Sequence, residues 1–259
     1  MMRKFIALLC FLAAGCSAVA VQLPSDGPQT ANDLLALAQA HKMPQTLQGM
    51  ARLDAYQKGE RRSVDLIAIL AKPASVQLQA VSPTLDMLGI MSTDGKRFVA
   101  FERGQGPCQV GAACPRNLAR MLPIALPPDQ LLQAMLGQPP VMQSEKQKLS
   151  WDSEHGLYQI DLGDDGGRRQ VVYIEAKTYT FAGTALFEKG QKIASIVYAG
   201  RLSDGHTPKE MRVKNLAQDL DMSVQWRKVE LDLPLDGETF LVQCPTGAQV
   251  IELSCDEQP

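Results

Sequence analysis

From Thr46 onward, apolar residues recur at every second position in short runs, and most of the runs close on a glycine turn. The clearest run holds Val76, Leu78 and Ala80 in one phase and Gln77 and Gln79 in the other. Side chains of a strand point alternately to its two faces, so this pattern makes strands with one buried and one wet face, as in an antiparallel sheet. Residues 46–57, 62–72, 75–82, 87–93 and 96–103 read as five such strands. Lys58-Gly59 and Asp94-Gly95 supply the positive φ that tight hairpins need. The pattern resumes at 148–153, 157–162, 169–176, 178–188, 192–199, 209–216, 222–233, 240–243 and 249–254, punctuated by Asp165-Gly166, Lys189-Gly190 and Asp204-Gly205. In 222–233 the apolar phase shifts from Met222, Val224 and Trp226 to Val229, Leu231 and Leu233. One extra residue near Arg227-Lys228, a β-bulge, accounts for the shift.

Three stretches break the strand period. Residues 31–42 carry Leu34, Leu35, Leu37 and Ala38 on one helical face, with Asn32 or Asp33 as cap. Residues 115–122 read as a second helix and Asp129 starts a third that Gly137 ends. Pro123 to Pro128 form an extended link between them, since each proline pushes its predecessor out of the helical region. A meander this long must curl or close, because wide open sheets are rare. The two short helices need its apolar face to be stable. The expected class is mainly β (α+β): an incomplete antiparallel barrel or strongly curved sheet, with an N-terminal helix and two short helices on the concave face.

The N-terminus carries a different signal. Arg3 and Lys4 precede a ten-residue apolar run from Phe5 to Ala14, right for a signal peptide and too short to span a bilayer. Leu12-Ala13-Ala14-Gly15-Cys16 then resembles a bacterial lipobox, which implies cleavage after Gly15 and acylation of Cys16. Ala13 stands where the usual pattern prefers leucine. Ser17, by resemblance to enterobacterial sorting rules, permits export to the outer membrane. The expected layout is a signal peptide at 1–15, a lipidated flexible tether at 16–30 rich in Ser, Pro and Gly, and one β domain at 31–259. The partner membrane is reached through the anchor, and the body is expected to be a monomer in the periplasm.

Six cysteines fit that compartment. With Cys10 in the signal and Cys16 acylated, Cys108, Cys114, Cys244 and Cys255 remain, an even number that predicts two disulfides. Three pairings are open, and the short span from Cys108 to Cys114 favours a local bridge that leaves Cys244 with Cys255. A zinc site lacks both C-x₂-C spacing and a histidine pair.

The order of elements resembles the LolA/LolB lipoprotein-localisation fold. The likeness is most specific at residues 114–137, where a helix, a proline-flanked link and a second helix ending in glycine resemble the lid of LolB-like outer-membrane lipoproteins. Residues 82–98 are similar to the third-to-fifth strand region of LolB-like lipoproteins of unknown function. Good similarity covers 46–137, the later half matches only in strand pattern, and the end from Cys244 looks like an addition. The resemblance implies an apolar groove for acyl chains, for which Leu66, Val76, Leu78, Ala80, Leu118, Met121, Leu132 and Met135 are candidates. The alternative is that these residues fill a solid core. Flexible methionines suit a site for variable chains. In LolB-like receptors the loop between the third and fourth strands presents an apolar residue that helps lipid reach the membrane. Pro83 and Leu85 occupy that loop here, although Thr84-Leu85 departs from the apolar-then-glycine order of related lipoproteins.

Composition narrows the rest. Net charge is −2, with 26 Lys plus Arg against 28 Asp plus Glu, so there is no basic footprint for nucleic acid. Three histidines at 41, 155 and 206 show no ligand or nucleophile spacing, and Asp161, Asp164 and Asp165 beside Gly166-Gly167 read as a polar hairpin turn rather than a calcium loop. Lys58, Arg61 and Arg62 read as a solvated hairpin end. There is no G-x-S-x-G, P-loop or H-E-x-x-H motif. The expectation is a non-enzymatic outer-membrane lipoprotein without cofactor or metal, which binds acyl chains or lipidated clients. The alternative is a structural or assembly lipoprotein that presents its curved sheet to a protein partner.

Overall fold

The computed structural model describes residues 20–122 and 125–256. Helix α1 (Ala31–Gln39) is capped by Thr30, not by Asn32 or Asp33. The Thr30 hydroxyl oxygen accepts the Asp33 N–H at 3.1 Å and donates to the Asp33 carboxylate at 2.7 Å. The hydroxyl thus meets one of the four N–H groups that a helix start leaves without a partner. Leu34 and Ala38 are buried, while Leu37 stays exposed.

Six strands follow: β1 (Thr46–Gln57), β2 (Glu60–Ala71), β3 (Ser75–Val81), β4 (Met87–Thr93), β5 (Arg97–Glu102) and β6 (Gln105–Ala112). Helices α2 (Pro115–Leu118) and α3 (Pro128–Met135) interrupt the sheet. Strands β7 (Lys146–Asp152), β8 (Leu157–Gly163), β9 (Arg168–Glu175), β10 (Phe181–Glu188), β11 (Gln191–Arg201), β12 (Pro208–Asn215), β13 (Leu220–Leu231) and β14 (Val250–Leu253) complete it. All fourteen form one curved, unclosed sheet in the order β14-β6-β5-β4-β3-β2-β1-β13-β12-β11-β10-β9-β8-β7. β1 lies between β2 and β13, which joins the two halves of the chain. Neighbours are antiparallel except β14, which runs parallel to β6.

Two expectations about strands change. Residues 105–112 form β6 despite Gly106, Pro107 and Gly111, because β5 and β14 pair with it on either side. Residues 240–243 form no strand. The expected bulge is present: Met50 faces Lys228 and Ala51 faces Trp226, so Arg227 is the extra residue. The inner face is therefore Leu220, Met222, Val224 and Trp226 before the bulge, and Val229 and Leu231 after it. The core lies between this face and the helices, with Leu34, Leu118 and Leu132 packed into it.

The cysteines pair as Cys108–Cys244 and Cys114–Cys255, not locally. The reason is β6 itself. Six residues of extended chain span about 20 Å, far beyond the roughly 7 Å between Cα atoms that a disulfide tolerates. Each cysteine instead meets the C-terminal segment. That segment crosses β4, where the Ser92 hydroxyl donates to the Phe240 carbonyl at 3.0 Å, and returns as β14 on the edge of β6.

Register also defines two ends of the sheet. The turns at 58–59, 82–86, 164–167, 189–190 and 216–219 share one end, and Lys58 N–H donates to Asp219 O while Lys189 N–H donates to Gly167 O across it. The turns at 72–74, 94–96, 153–156, 176–180 and 202–207 lie at the other. Among the described residues no helix is long and apolar enough to cross a membrane.

Candidate functional site

The segment from α3 to β7 is fixed from below by two buried polar side chains of the sheet. Tyr198 of β11 is buried and donates to the Ala134 carbonyl of α3 at 2.8 Å. Burial pushes its phenol well above the ordinary tyrosine range, so it remains a donor. Gln170 of β9, also buried, uses its whole amide. Its Oε1 accepts from the Met142 N–H at 2.6 Å, and its Nε2 donates to the Pro140 carbonyl at 2.7 Å and to Thr184 Oγ1 at 2.8 Å. Buried polar groups persist only when paired, and here the pairing ties residues 140–142 to the sheet.

Beside this tie lies a cavity of about 520 Å³. Leu126, Val141 and Met142 cover it, and Leu186, Ile196 and Val213 form much of its floor. A volume of that size falls inside the range of roughly 300–1,000 Å³ typical of small-molecule sites. The strands reach it at Arg168–Gln170, Thr184–Glu188, Ile193–Ile196 and Val213–Asn215, so it opens toward the end of the sheet that carries residues 82–86. Charges stand at its rim. Arg168 Nε donates to Asp164 at 2.7 Å, and backbone and side-chain hydrogen bonds from Arg168 hold that carboxylate below its usual range. Arg169 pairs with Asp161 at 2.7 Å, which holds its guanidinium above the usual value, and lies 4.9 Å over the Phe187 ring. Lys214 Nζ reaches Asp221 at 3.2 Å. Arg168, Arg169 and Lys214 are each paired with an aspartate, Glu188 adds a carboxylate at the rim, and the interior offers chiefly apolar contact.

The structure brings Leu66, Val76, Leu78, Leu118, Leu132 and Met135 together, buried in one core, with Ala80 and Met121 half-buried against it. α3 lies over β3 and provides their partners. None of the eight lines the cavity. The cavity sits farther along the sheet, on β9–β12, where the strand pattern alone gave no reason to prefer one strand to another. Its signal in the sequence is Gln170, a polar residue in phase with the buried Val172 and Ile174.

Leu85 is 59% exposed and stands at φ +65°. Its loop is locked by its own bonds: Ser82 N–H donates to Asp86 O, Leu85 N–H donates to Ser82 O, and the Thr84 hydroxyl donates to the Asp86 carboxylate at 2.6 Å. Pro83 is exposed beside it. The acylation candidate Cys16 and the signal peptide lie outside the described residues. Asp161 and Asp164, set aside as calcium ligands, are bound to Arg169 and Arg168 in and beside the β8–β9 turn.

No family model and no curated protein matches the chain. Solved structures do. A DUF1329 family protein from Desulfovibrio piger superposes with a TM-score of 0.56 at 10% identity, covering 80% of this chain and 94% of its own. A LolA superfamily protein from Nitrosomonas europaea gives a TM-score of 0.52 at 10% identity, covering 82% of this chain and 98% of its own. At that identity the likeness is one of fold, and by that measure the chain has the LolA/LolB-like fold.

Proposed function

We propose that this protein is a non-catalytic outer-membrane lipoprotein that holds the acyl chain of a lipid or lipidated client in the β9–β12 cavity. The observation that carries the reading is the cavity itself: apolar within, of small-molecule size, and open at the sheet end where Leu85 protrudes. The fold, shared with a LolA superfamily protein, supports it. Acylation of Cys16 anchors the body, because two or more chains give stable membrane attachment at about 0.8 kcal/mol per buried CH₂. Leu85 then serves as the apolar contact past which the chain enters or leaves. No bond changes, so affinity must be moderate enough for release.

The test is native mass spectrometry of the Cys16→Ser protein purified without detergent. Lipid adducts are expected, and Ala194→Trp, which fills the cavity from β11 in phase with Ile196 and Tyr198, should abolish them while the far-ultraviolet circular dichroism stays unchanged. An empty wild-type cavity together with a stoichiometric protein partner would favour the rival reading, a structural lipoprotein presenting its sheet.

A further inference from the structure

Residues 21–29 are seated on the sheet. Val21 N–H donates to the Ser153 carbonyl at 2.8 Å, and the Trp151 indole N–H donates to the Val21 carbonyl at 2.9 Å. The Val21 side chain rests on Gly156, which holds φ +68° at the β7–β8 turn. Gly27 is buried against the Tyr158 hydroxyl, where a Cβ has no room. Thr30 then caps α1. The chain is thus held from Val21 through Thr30, along the β7–β8 edge of the sheet.

We propose that this segment is a splint, and that it holds the β7–β8 end of the sheet against the membrane in which Cys16 is anchored. The inference rests on the lipoprotein reading above. Its geometry is short: four residues lie between Cys16 and Val21, and the five steps even fully extended reach at most about 18 Å. The tip residues Asp152, Glu154 and His155 carry no net positive charge to seek an anionic bilayer, so leash length sets the gap. The cavity mouth and Leu85 lie at the opposite end of the strands. The splint therefore turns them away from the anchoring bilayer, toward whatever delivers or collects the cargo.

Energy transfer to dansyl-labelled lipid headgroups measures the gap. In the lipidated Trp226→Phe protein, Trp151 is the sole donor, since the chain has two tryptophans. Should that core replacement not fold, wild type minus Trp151→Phe reports the same donor. High transfer is expected in reconstituted vesicles. Inserting twenty Gly/Ser residues between Val19 and Ala20 leaves the fold untouched and lets the leash span about 25–30 Å on average, so transfer should fall at least twofold. The Gly27→Leu, Val21→Pro variant should lower it as well. Transfer no higher in the parent than in the insertion variant overturns the splint. Failure to incorporate labelled palmitate overturns the anchor instead, and the two failures are read on the same sample.

Discussion

At the scale of single residues, Leu85 combines a left-handed backbone with an exposed apolar side chain. An L-residue in the left-handed region costs about 1–2 kcal/mol, and a large apolar side chain left in water gains nothing in return. Asparagine tolerates that conformation. Leu85→Asn should therefore raise unfolding stability by about 1 kcal/mol in urea titration and slow acyl-cargo transfer. A less stable variant would show that the loop is not strained. His155 and Asp152 give a second residue-scale prediction. Backbone and side-chain bonds from His155 hold the Asp152 carboxylate below 3.8, and the bond to Asp152 holds the imidazole above 6.5. A raised histidine contributes stability below its unfolded value and loses it as pH rises through the folded one. A depressed aspartate contributes above its unfolded value and loses it as pH falls through the folded one. The pair thus supports the β7–β8 hairpin fully between about pH 4 and 6.5. His155→Gln should lower the melting temperature at pH 5.5 and leave it unchanged at pH 8.5.

Among elements, the β1–β13 seam is where sequence and structure agree most closely. The phase shift in 222–233 located the bulge because a half-buried strand cannot slip by one residue without turning its apolar set outward. The seam also contains a partner that no pattern revealed: Gly49 of β1 sits against the Lys228 carbonyl, where a Cβ would collide with backbone. Gly49→Ala should cost about 1–3 kcal/mol by overpacking, read as a lower urea midpoint with unchanged slope. An unperturbed midpoint would mean that the bulge can move. Periodicity was equally informative for β1 and β4, whose bounds it gave to the residue. It failed for β6, since Gly106, Pro107 and Gly111 suppress the local signal and the strand exists through its neighbours. It failed at 240–243 for the converse reason, as an apolar stretch that crosses β4 and pairs with no strand. The capping residue of α1 was missed because threonine, asparagine and aspartate stand within four positions, and each satisfies the same rule.

For the whole molecule, long-range connections decided what local pattern could not. The strand count was legible, and so was the need for a curved sheet under short helices. Which strands open around a cavity depends on where the cover rests, and that is set by Gln170 and Tyr198 reaching residues far away in the chain. The cysteine pairing is the sharpest case. Sequence distance favoured a bridge between Cys108 and Cys114, whereas the fold places each beside a residue more than a hundred positions away. Those bridges secure the segment after β13 to β6, and β14 covers a sheet edge that would otherwise be free to pair with another chain. Because β1–β13 and the helices supply all of the buried core except Leu253, the segment should be separable from the rest. In the chain-entropy view, a bridge closing a loop this long contributes about 4–5 kcal/mol, and the second adds less because it closes nearly the same loop. A protein with Cys108, Cys114, Cys244 and Cys255 all replaced by serine should melt at lower temperature, keep the circular dichroism of the sheet, and be cut by protease between residues 232 and 250. Exposure of the β6 edge should also make it associate as concentration rises, which light scattering detects. Cooperative loss of the whole sheet on replacement would instead show that the C-terminal segment belongs to the folding core.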